Sequence, residues 1–222
     1  MKEEEPEQSL AQDFQYAGYR QPPTLCSQIA ATNDGLVHTF LIGPDHVSFS
    51  LPLSWHSHWL EFAQKDPYYS QHIADNTTVS LPEHDPEAFR LYCDSVYKGF
   101  ITLPTHNTRD ETRPQLPLLI NTALIAIFLQ NYDICAHLTS IIEEISAQWN
   151  LVPAPEMVEL VFDTFKDREE DVDDGGLRGA LIRCWADVDY EIFEQHRGDF
   201  KIDFIAGFYE YLLMARRGHK SL

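Results

Sequence analysis

The stretch from Thr77 to Thr102 constrains the fold of this chain more tightly than any other segment of similar length. A short alternating pattern at Val79–Leu81 predicts a strand, and Asp85 followed by Pro86 predicts the start of a helix. An aspartate there can accept hydrogen bonds from the free N–H groups of the first turn, and a proline at the first helical position loses no hydrogen bond. Gly99 predicts where this helix ends. The segment therefore predicts a strand that leads directly into a capped helix.

The predicted helix has one apolar face. Its apolar residues recur three and four positions apart, a spacing that places them on one side of a helix. We expect this side to pack against the core, and it consists of Phe89, Tyr92, Cys93, Val96 and Tyr97. The pair Phe100-Ile101 that follows the glycine predicts the start of another short strand.

A β-hairpin is predicted upstream of this segment. The apolar run Leu36–Ile42 is followed by the turn residues Gly43–Asp45, and Val47–Leu51 then alternates apolar and polar side chains. Two short β-patterns joined by a glycine-containing turn are typical of a hairpin. Aromatic and aliphatic residues at helical spacing predict a helix over 53–64, and a second short helix is expected over 68–73.

Downstream, the sequence predicts two antiparallel helices. Residues Leu116–Gln130 are apolar almost all round, which is typical of a helix buried on most sides. Residues Ile134–Trp149 place their apolar side chains on one face, and the intervening link is short. The polar segment Thr105–Pro114 is expected to be an exposed loop.

The remainder of the chain is predicted to be helical. Pro153 and Pro155 indicate a boundary, and three amphipathic patterns follow. Their apolar positions are Met157, Leu160, Val161 and Phe165 in the first, Leu177, Leu181, Cys184, Trp185 and Val188 in the second, and Phe204, Ile205, Phe208, Tyr209, Leu212 and Leu213 in the third. We therefore expect a disordered acidic leader over 1–32, an α+β domain over 33–150 and a helical C-terminal extension over 151–222.

The net charge bounds the classes of partner. Lys and Arg number 16 against 35 Asp and Glu, so the formal charge is −19. Phosphate backbones and anionic membranes attract cationic surfaces, so nucleic acid and membrane are disfavoured as partners. The acidic run 167–174 has two interpretations, a solvated loop or a docking patch for a basic partner.

Compartment is indicated by the N-terminus and the cysteines. The first residues, MKEEEPEQ, lack the apolar core of a secretory signal. Four scattered cysteines with no close pairs are typical of the free thiols of a reducing compartment. We therefore expect a cytoplasmic or nuclear protein.

These segments together resemble the BTB/POZ domain, in particular the short BTB proteins of fungi. The resemblance is carried by Val79–Pro82, by Asp85–Phe89 and by Tyr97–Gly99, within the order hairpin, helical pair, strand, capped helix, short strand and helix pair. Asp66–Tyr69 and Ala126–Ile134 are similar to further family motifs. The resemblance implies an α+β fold with a small β-sheet flanked by helical hairpins.

The resemblance also implies a function. Members of the family self-associate, recruit other proteins and in some cases deliver substrates to a cullin ubiquitin ligase. Cullin-binding members tend to carry a hydrophobic residue, any residue and then Glu before the third strand, and Ile73-Ala74-Asp75 occupies that place with Asp for Glu. Ile73 and Asp75 are thus the candidate partner-binding residues of a non-catalytic adaptor, for which no cofactor, metal or small-molecule substrate is expected.

Two alternatives remain open at this stage. His56 and His58 would point to the same face of a strand and serve a small metal-dependent enzyme, whereas on a helix they diverge, and no third ligand is identifiable. Cys135 beside His137 is interpreted as a core thiol at a helix start. The second alternative is a helical structural subunit that lacks a sheet over Val37–Ile101.

Overall fold

The sheet and the helices are described in a computed structural model over residues 37–52, 78–104, 108–165 and 176–218. Within these ranges a small three-stranded sheet is combined with helices that contain most of the described residues. The protein is therefore of mixed α+β class and mostly helical, and the alternative without a sheet is wrong. The predictions for the leader 1–32, for helices over 53–64 and 68–73, and for the acidic run 167–174 fall outside the described residues.

The sheet consists of the predicted hairpin and the predicted strand after it. Strands β1 (Val37–Ile42) and β2 (Val47–Pro52) pair antiparallel, and β3 (Thr78–Leu81) pairs with β1 in parallel. The strand order is therefore β2-β1-β3, with β1 in the centre. Side chains alternate along β2, where Ser48 and Ser50 are exposed while the intervening side chains turn toward the core.

Helix α1 (Pro86–Lys98) begins and ends as the sequence predicts. The backbone N–H of Glu87 donates to Oδ1 of Asp85 at 3.0 Å, and Pro86 occupies the first turn. At the other end Gly99 adopts a left-handed conformation with φ 73°, and its N–H donates to the carbonyl of Ser95 at 2.9 Å. Both ends are thus determined by residues adjacent to them in sequence.

The buried face of α1 differs from the predicted one. Ala88, Phe89, Tyr92 and Ser95 are buried, whereas Tyr97 is 72% exposed. At about 100° per residue, five positions place Tyr97 roughly 140° away from Tyr92, the centre of the buried face. The predicted short strand after the helix is also wrong, because residues 100–104 form no strand, although Ile101 is buried.

The predicted helical hairpin is present. Helix α2 (Arg109–Thr112) is a single turn within the expected loop, and α3 (Gln115–Phe128) and α4 (Tyr132–Trp149) are joined by a tight link. In that link the side-chain oxygen of Asn131 accepts from the N–H of Ile134 at 3.3 Å. Every residue of α3 from 122 to 127 is buried, which confirms the prediction of a helix covered on most sides.

Helices α1, α3 and α4 cover the sheet and form the first core with it. Thr122 of α3 donates through Oγ1 to the carbonyl of Ala88 in α1 at 3.3 Å, a buried link between the two helices. The rings of Phe40 and Phe49 lie 5.4 and 4.9 Å from that of Phe89, so both hairpin strands contact α1. Such offset aromatic contacts add to the free energy of burial.

The C-terminal part is helical, as predicted, with one additional helix. It contains α5 (Pro155–Phe165), α6 (Leu177–Ala186), α7 (Tyr190–His196), a 3-10 turn (Arg197–Asp199) and α8 (Ile202–Gly218). Helix α7 was not predicted, because its sequence is largely charged and polar.

The predicted face of α5 is partly wrong. Val161 and Phe165 are buried as predicted, but Leu160 is 44% exposed and Val158 is buried in its place. The spacing of the apolar residues is correct, but the buried face is shifted because α5 has a second apolar partner on its other side.

That partner is a second, smaller core made mainly of aromatic side chains. Its buried members are Val158, Trp185, Phe193, Phe200, Phe204 and Phe208. The indole N–H of Trp185 donates to the carbonyl of Pro153 at 3.1 Å, which pairs the one polar atom of the ring inside this cluster.

Helix α6 lies between the two cores and contacts both. Leu177, Leu181 and Cys184 belong to the first core, whereas the adjacent Trp185 belongs to the second. The N-terminal sheet and the C-terminal helices are therefore packed together through α6 rather than only tethered by the chain.

Candidate functional site

A shallow groove lies where the end of α1 meets the beginning of α4. One side of the groove is formed by Ser95 and Val96 of α1 and by the segment after this helix. The other side is formed by the first two turns of α4. The lining residues are Ser95, Val96, Gly99, Phe100, Ile101, Ile134 and His137. Two core helices and a glycine turn thus hold the walls of the groove in place.

Gly99 determines the shape of this groove. Its left-handed backbone, with φ 73°, reverses the chain immediately after α1. Ile101 is then buried at 4% exposure, whereas Phe100 is 42% exposed. The turn therefore presents one large ring to solvent and uses the next side chain to anchor it.

Two exposed aromatic rings lie at the end of α1, and one of them, that of Phe100, lines the groove. Tyr97 is 72% exposed at the end of α1, and Phe100 follows three residues later. Exposed aromatic side chains on a rigid scaffold are characteristic of protein-binding surfaces, since they bring a large contact area at low cost in side-chain entropy. The last turns of α1 also carry an ion pair, in which Nζ of Lys98 lies 3.1 Å from Oδ2 of Asp94.

His137 supplies a polar atom on the α4 side. Its Nε2 is buried and has no hydrogen-bond partner in the described ranges. Burial lowers the pKa of His137 below its ordinary value, so the ring is mainly neutral at pH 7. The ring therefore forms part of the wall of the groove as an uncharged surface.

The size of the groove decides between a substrate pocket and a contact surface. Its enclosed volume is only about 10 Å³, close to the minimum that a single water molecule requires. Small-molecule sites usually have roughly 300–1,000 Å³. The groove can therefore receive part of a side chain from a partner surface but cannot enclose a metabolite.

The residues singled out in the sequence are not brought to this groove in the described part of the chain. Ile73 and Asp75, the candidate cullin-contacting residues, lie outside the described residues, as do His56 and His58. Cys135 is fully buried as a reduced thiol at the start of α4, in agreement with the core role predicted for it.

Two further observations concern the described ranges alone. Over 37–52, 78–104, 108–165 and 176–218 no group of three His, Cys, Asp or Glu side chains is placed to hold a metal ion. In the same ranges, none of the helices combines the length and the apolar character that a membrane span needs.

Comparisons with known proteins give no relative. No family model, no curated protein and no solved structure matches this chain. The functional argument therefore depends on the residues of the chain itself.

Sequence reasoning missed the groove because it assigned Tyr97 to the core and Phe100 to a strand. A usable signal was present in both cases. Tyr97 is five positions from Tyr92 and so faces away from the core, and Gly99 turns the chain before Phe100. Together they predict two exposed rings on either side of a helix end.

Proposed function

We propose that this chain is a non-catalytic protein-interaction module of the BTB/POZ type. Its binding surface would be the groove between α1 and α4, with Tyr97 and Phe100 as the main contacts. The observation that carries the proposal is the exposure of Phe100, 42%, which lines the groove, and of Tyr97, 72%, at the end of the same helix.

The order of the elements supports the BTB/POZ part of the proposal. The described ranges contain a hairpin, a third strand, a helix capped by Asp85 and ended by Gly99, and a helical hairpin, in that sequence along the chain. This is the order that the resemblance implies, apart from the helical pair between the hairpin and the third strand, which falls outside the described residues. The short strand expected after Gly99 is the element that departs from it.

The shape of the groove supports binding over catalysis. Its volume of about 10 Å³ leaves no room for a substrate. Its lining includes the imidazole of His137 and Ser95, whose hydroxyl already donates to the carbonyl of Leu91 at 2.7 Å. A partner would gain free energy by covering the two rings. A helix or an extended segment of another protein suits such a surface.

Self-association and delivery to a cullin ubiquitin ligase are the two family roles that remain as proposals. The cullin role depends on Ile73 and Asp75. If it is correct, Ile73→Ala should abolish capture of a cullin while leaving other partners in place.

Affinity purification with mass spectrometry tests the proposal. The full chain and the double variant Tyr97→Ala/Phe100→Ser would be compared, with Ile202→Ala as a matched control, because Ile202 is 79% exposed and lies on α8. The expected result is that the double variant loses its specific partners and the control retains them. Circular dichroism would verify that all three proteins are folded.

Two results would contradict the proposal. Identical partners for the double variant and the natural chain would remove the groove as the binding surface. Absence of specific partners, together with a monomeric mass in analytical ultracentrifugation, would argue against an interaction module altogether.

A further inference from the structure

The outer face of α8 carries a stripe of apolar side chains. Its members recur four, three and four positions apart, which places them within about 60° of one another around the helix axis. They are Ile202, Ala206, Tyr209 and Leu213. Ile202 and Leu213 are 79% and 54% exposed, Ala206 is also exposed, and Tyr209 is half-buried. This spacing is that of the a and d positions at which one helix pairs with another.

The opposite face fixes α8 to the rest of the protein. Phe204 and Phe208 are buried in the second core. A Cβ added to Gly207 would lie 2.8 Å from Cδ1 of Ile182, so α8 and α6 are in close contact there. The ring of Tyr209 packs edge-on against that of Phe208, with ring centroids 5.9 Å apart. The helix therefore cannot rotate to bury the stripe without giving up these contacts.

An acidic flank runs beside the stripe. Asp203 and Glu210 are one heptad apart, so they lie on the same side of the stripe, and both are exposed. Neither forms an ion pair in the part of the chain that the structure describes. The cation that precedes the helix, Lys201, is paired with Asp163 instead. Arg216 is exposed only in the last turn, so the flank is negative over the turns before it.

A second copy of the chain does not suit this surface. The antiparallel register that aligns two stripes places Ile202 opposite Leu213 of the other copy. An antiparallel two-fold also brings like flanks together, so Asp203 of one copy would face Glu210 of the other. A parallel pair would need the opposite flank, where Ile205 packs against the second core. The formal charge of −19 on each copy adds to the repulsion.

We propose that the outer face of α8 binds an amphipathic, basic helix of a partner protein. Apolar side chains of that helix would cover the stripe, and its basic side chains would meet Asp203 and Glu210. Burial of the stripe would supply most of the affinity, while the charges would select the partner and fix its orientation. None of these residues lines the groove between α1 and α4, so the inference does not rest on that groove.

The charge of the flank decides between classes of helix. An acidic helix would bring like charges against two unpaired carboxylates, and an uncharged helix would leave them without a partner beside a newly buried surface. A basic helix pairs with them and is attracted by the net charge of the whole chain. The small side chain of Ala206, in the middle of the stripe, also lets another helix approach closely.

The test uses the full chain and a synthetic peptide of three heptads, with Leu at positions a and d, Lys at e and g, and Ala elsewhere. A peptide of the same composition in scrambled order keeps the charge but has no apolar face. A third peptide, with Glu in place of Lys, keeps the apolar face but reverses the charge. Isothermal titration calorimetry should show the tightest binding for the first peptide, and this binding should weaken as salt is raised.

Matched variants make the test specific to α8. Leu213→Ala and Ile202→Ala should each weaken binding of the first peptide about fivefold or more, whereas Leu160→Ala, which truncates an exposed leucine on α5, should not. At low salt Glu210→Gln should weaken binding about two- to fivefold. Glu144→Gln makes the same change of charge at an exposed position of α4 and should leave the affinity unchanged. Circular dichroism would verify that each variant is folded.

The variants also separate this surface from the groove. Ile202→Ala should keep the partners of the groove and bind the peptide less tightly. Tyr97→Ala/Phe100→Ser should lose those partners and bind the peptide as the natural chain does. Specific peptide binding by a chain whose groove variant keeps all its partners would leave the α8 surface standing and contradict the proposed groove.

Four results would overturn the inference. Three are equal affinity for the scrambled peptide, tighter binding of the peptide that carries Glu, and an equal loss of affinity in Leu160→Ala and Leu213→Ala. The fourth is a dimer in analytical ultracentrifugation that Leu213→Ala dissociates, because the face would then be occupied by a second copy.

Discussion

The turn between β1 and β2 offers the sharpest test of how the N-terminal fold is held together. Gly43 has φ +74°, and a Cβ added to it would lie 2.9 Å from Cγ and 3.1 Å from Cδ of Pro86. Its backbone N–H also donates to the carbonyl of Leu81 at 3.0 Å. One residue therefore connects the hairpin, the third strand and the start of α1, and Gly43→Ala should disturb all three.

The expected loss of stability has two parts. A residue with a Cβ in the left-handed region costs about 1–2 kcal/mol relative to glycine. The contact with Pro86 adds about 1–3 kcal/mol, the usual cost of an extra carbon in a packed site, because the proline ring is fixed at the start of a helix and cannot rotate away. Gly43→Ala should therefore lower the free energy of unfolding by about 3 kcal/mol.

A double-mutant cycle distinguishes the two parts. Pro86→Ala alone should cost less than about 1 kcal/mol, since alanine is tolerated at the first position of a helix. It removes Cγ and Cδ, so in the double variant the cost of Gly43→Ala should fall by about 1–2 kcal/mol and only the strain of the backbone should remain. Urea unfolding followed by circular dichroism at 25 °C measures each term.

Two results would refute the reasoning. If Gly43→Ala changes the free energy of unfolding by less than about 0.5 kcal/mol, the turn does not hold the left-handed conformation. If the two substitutions are additive, the turn does not contact the start of α1.

The second core, a buried thiol and a buried imidazole give three further tests. Trp185→Phe should lower the free energy of unfolding by about 2–3 kcal/mol in urea titrations, because it leaves the carbonyl of Pro153 unpaired and opens a cavity. A loss under about 0.5 kcal/mol would exclude that hydrogen bond as a stabilising contact. Since burial raises the pKa of Cys184 to about 11, its native thiol should react with a disulfide reagent far more slowly than in urea, as followed by mass spectrometry of its peptide; equal rates would contradict its burial. Burial also lowers the pKa of His84 below 6.5, so the unfolded chain binds this proton more tightly and stability should fall as the pH drops below that value. His84→Gln should make the fall between pH 7 and 5 shallower, and an unchanged slope would rule His84 out as its source.

The parts of the fold that the sequence predicts well are those determined by adjacent residues. The start of α1 at Asp85-Pro86 and its end at Gly99 depend on a side chain and a backbone conformation within one turn of the helix. The hairpin at Val37–Pro52 is likewise a local structure with a glycine in its turn. Such signals do not need the rest of the molecule.

Helix faces are predicted less well, because the period of a pattern does not say where the neighbours are. Tyr97 and Leu160 both have the correct spacing and are both exposed. Tyr97 lies at the end of a helix, where 72% of it is exposed. Leu160 is on a helix whose buried side is divided between two cores.

The second core and the cleft between the C-terminal ends of α4 and α6 depend on contacts between distant parts of the chain. Phe193 is the buried residue of α7. Its ring packs against the rings of Trp185, Phe200 and Phe208, which lie outside α7. No local pattern predicts such a cluster. The same is true of this cleft, because its lining residues come from both helices.

The position of α6 between the two cores has a consequence for synthesis of the chain on the ribosome. Helix α4 ends at Trp149, but Leu177, Leu181 and Cys184 of α6, which cover it, are made later. At about 5–20 residues per second, the part of α4 that α6 covers stays exposed for several seconds. We expect nascent chains arrested after Phe165 to bind chaperones that recognise apolar surface more strongly than chains arrested after Gly218. Equal binding would show that α4 is protected before α6 emerges.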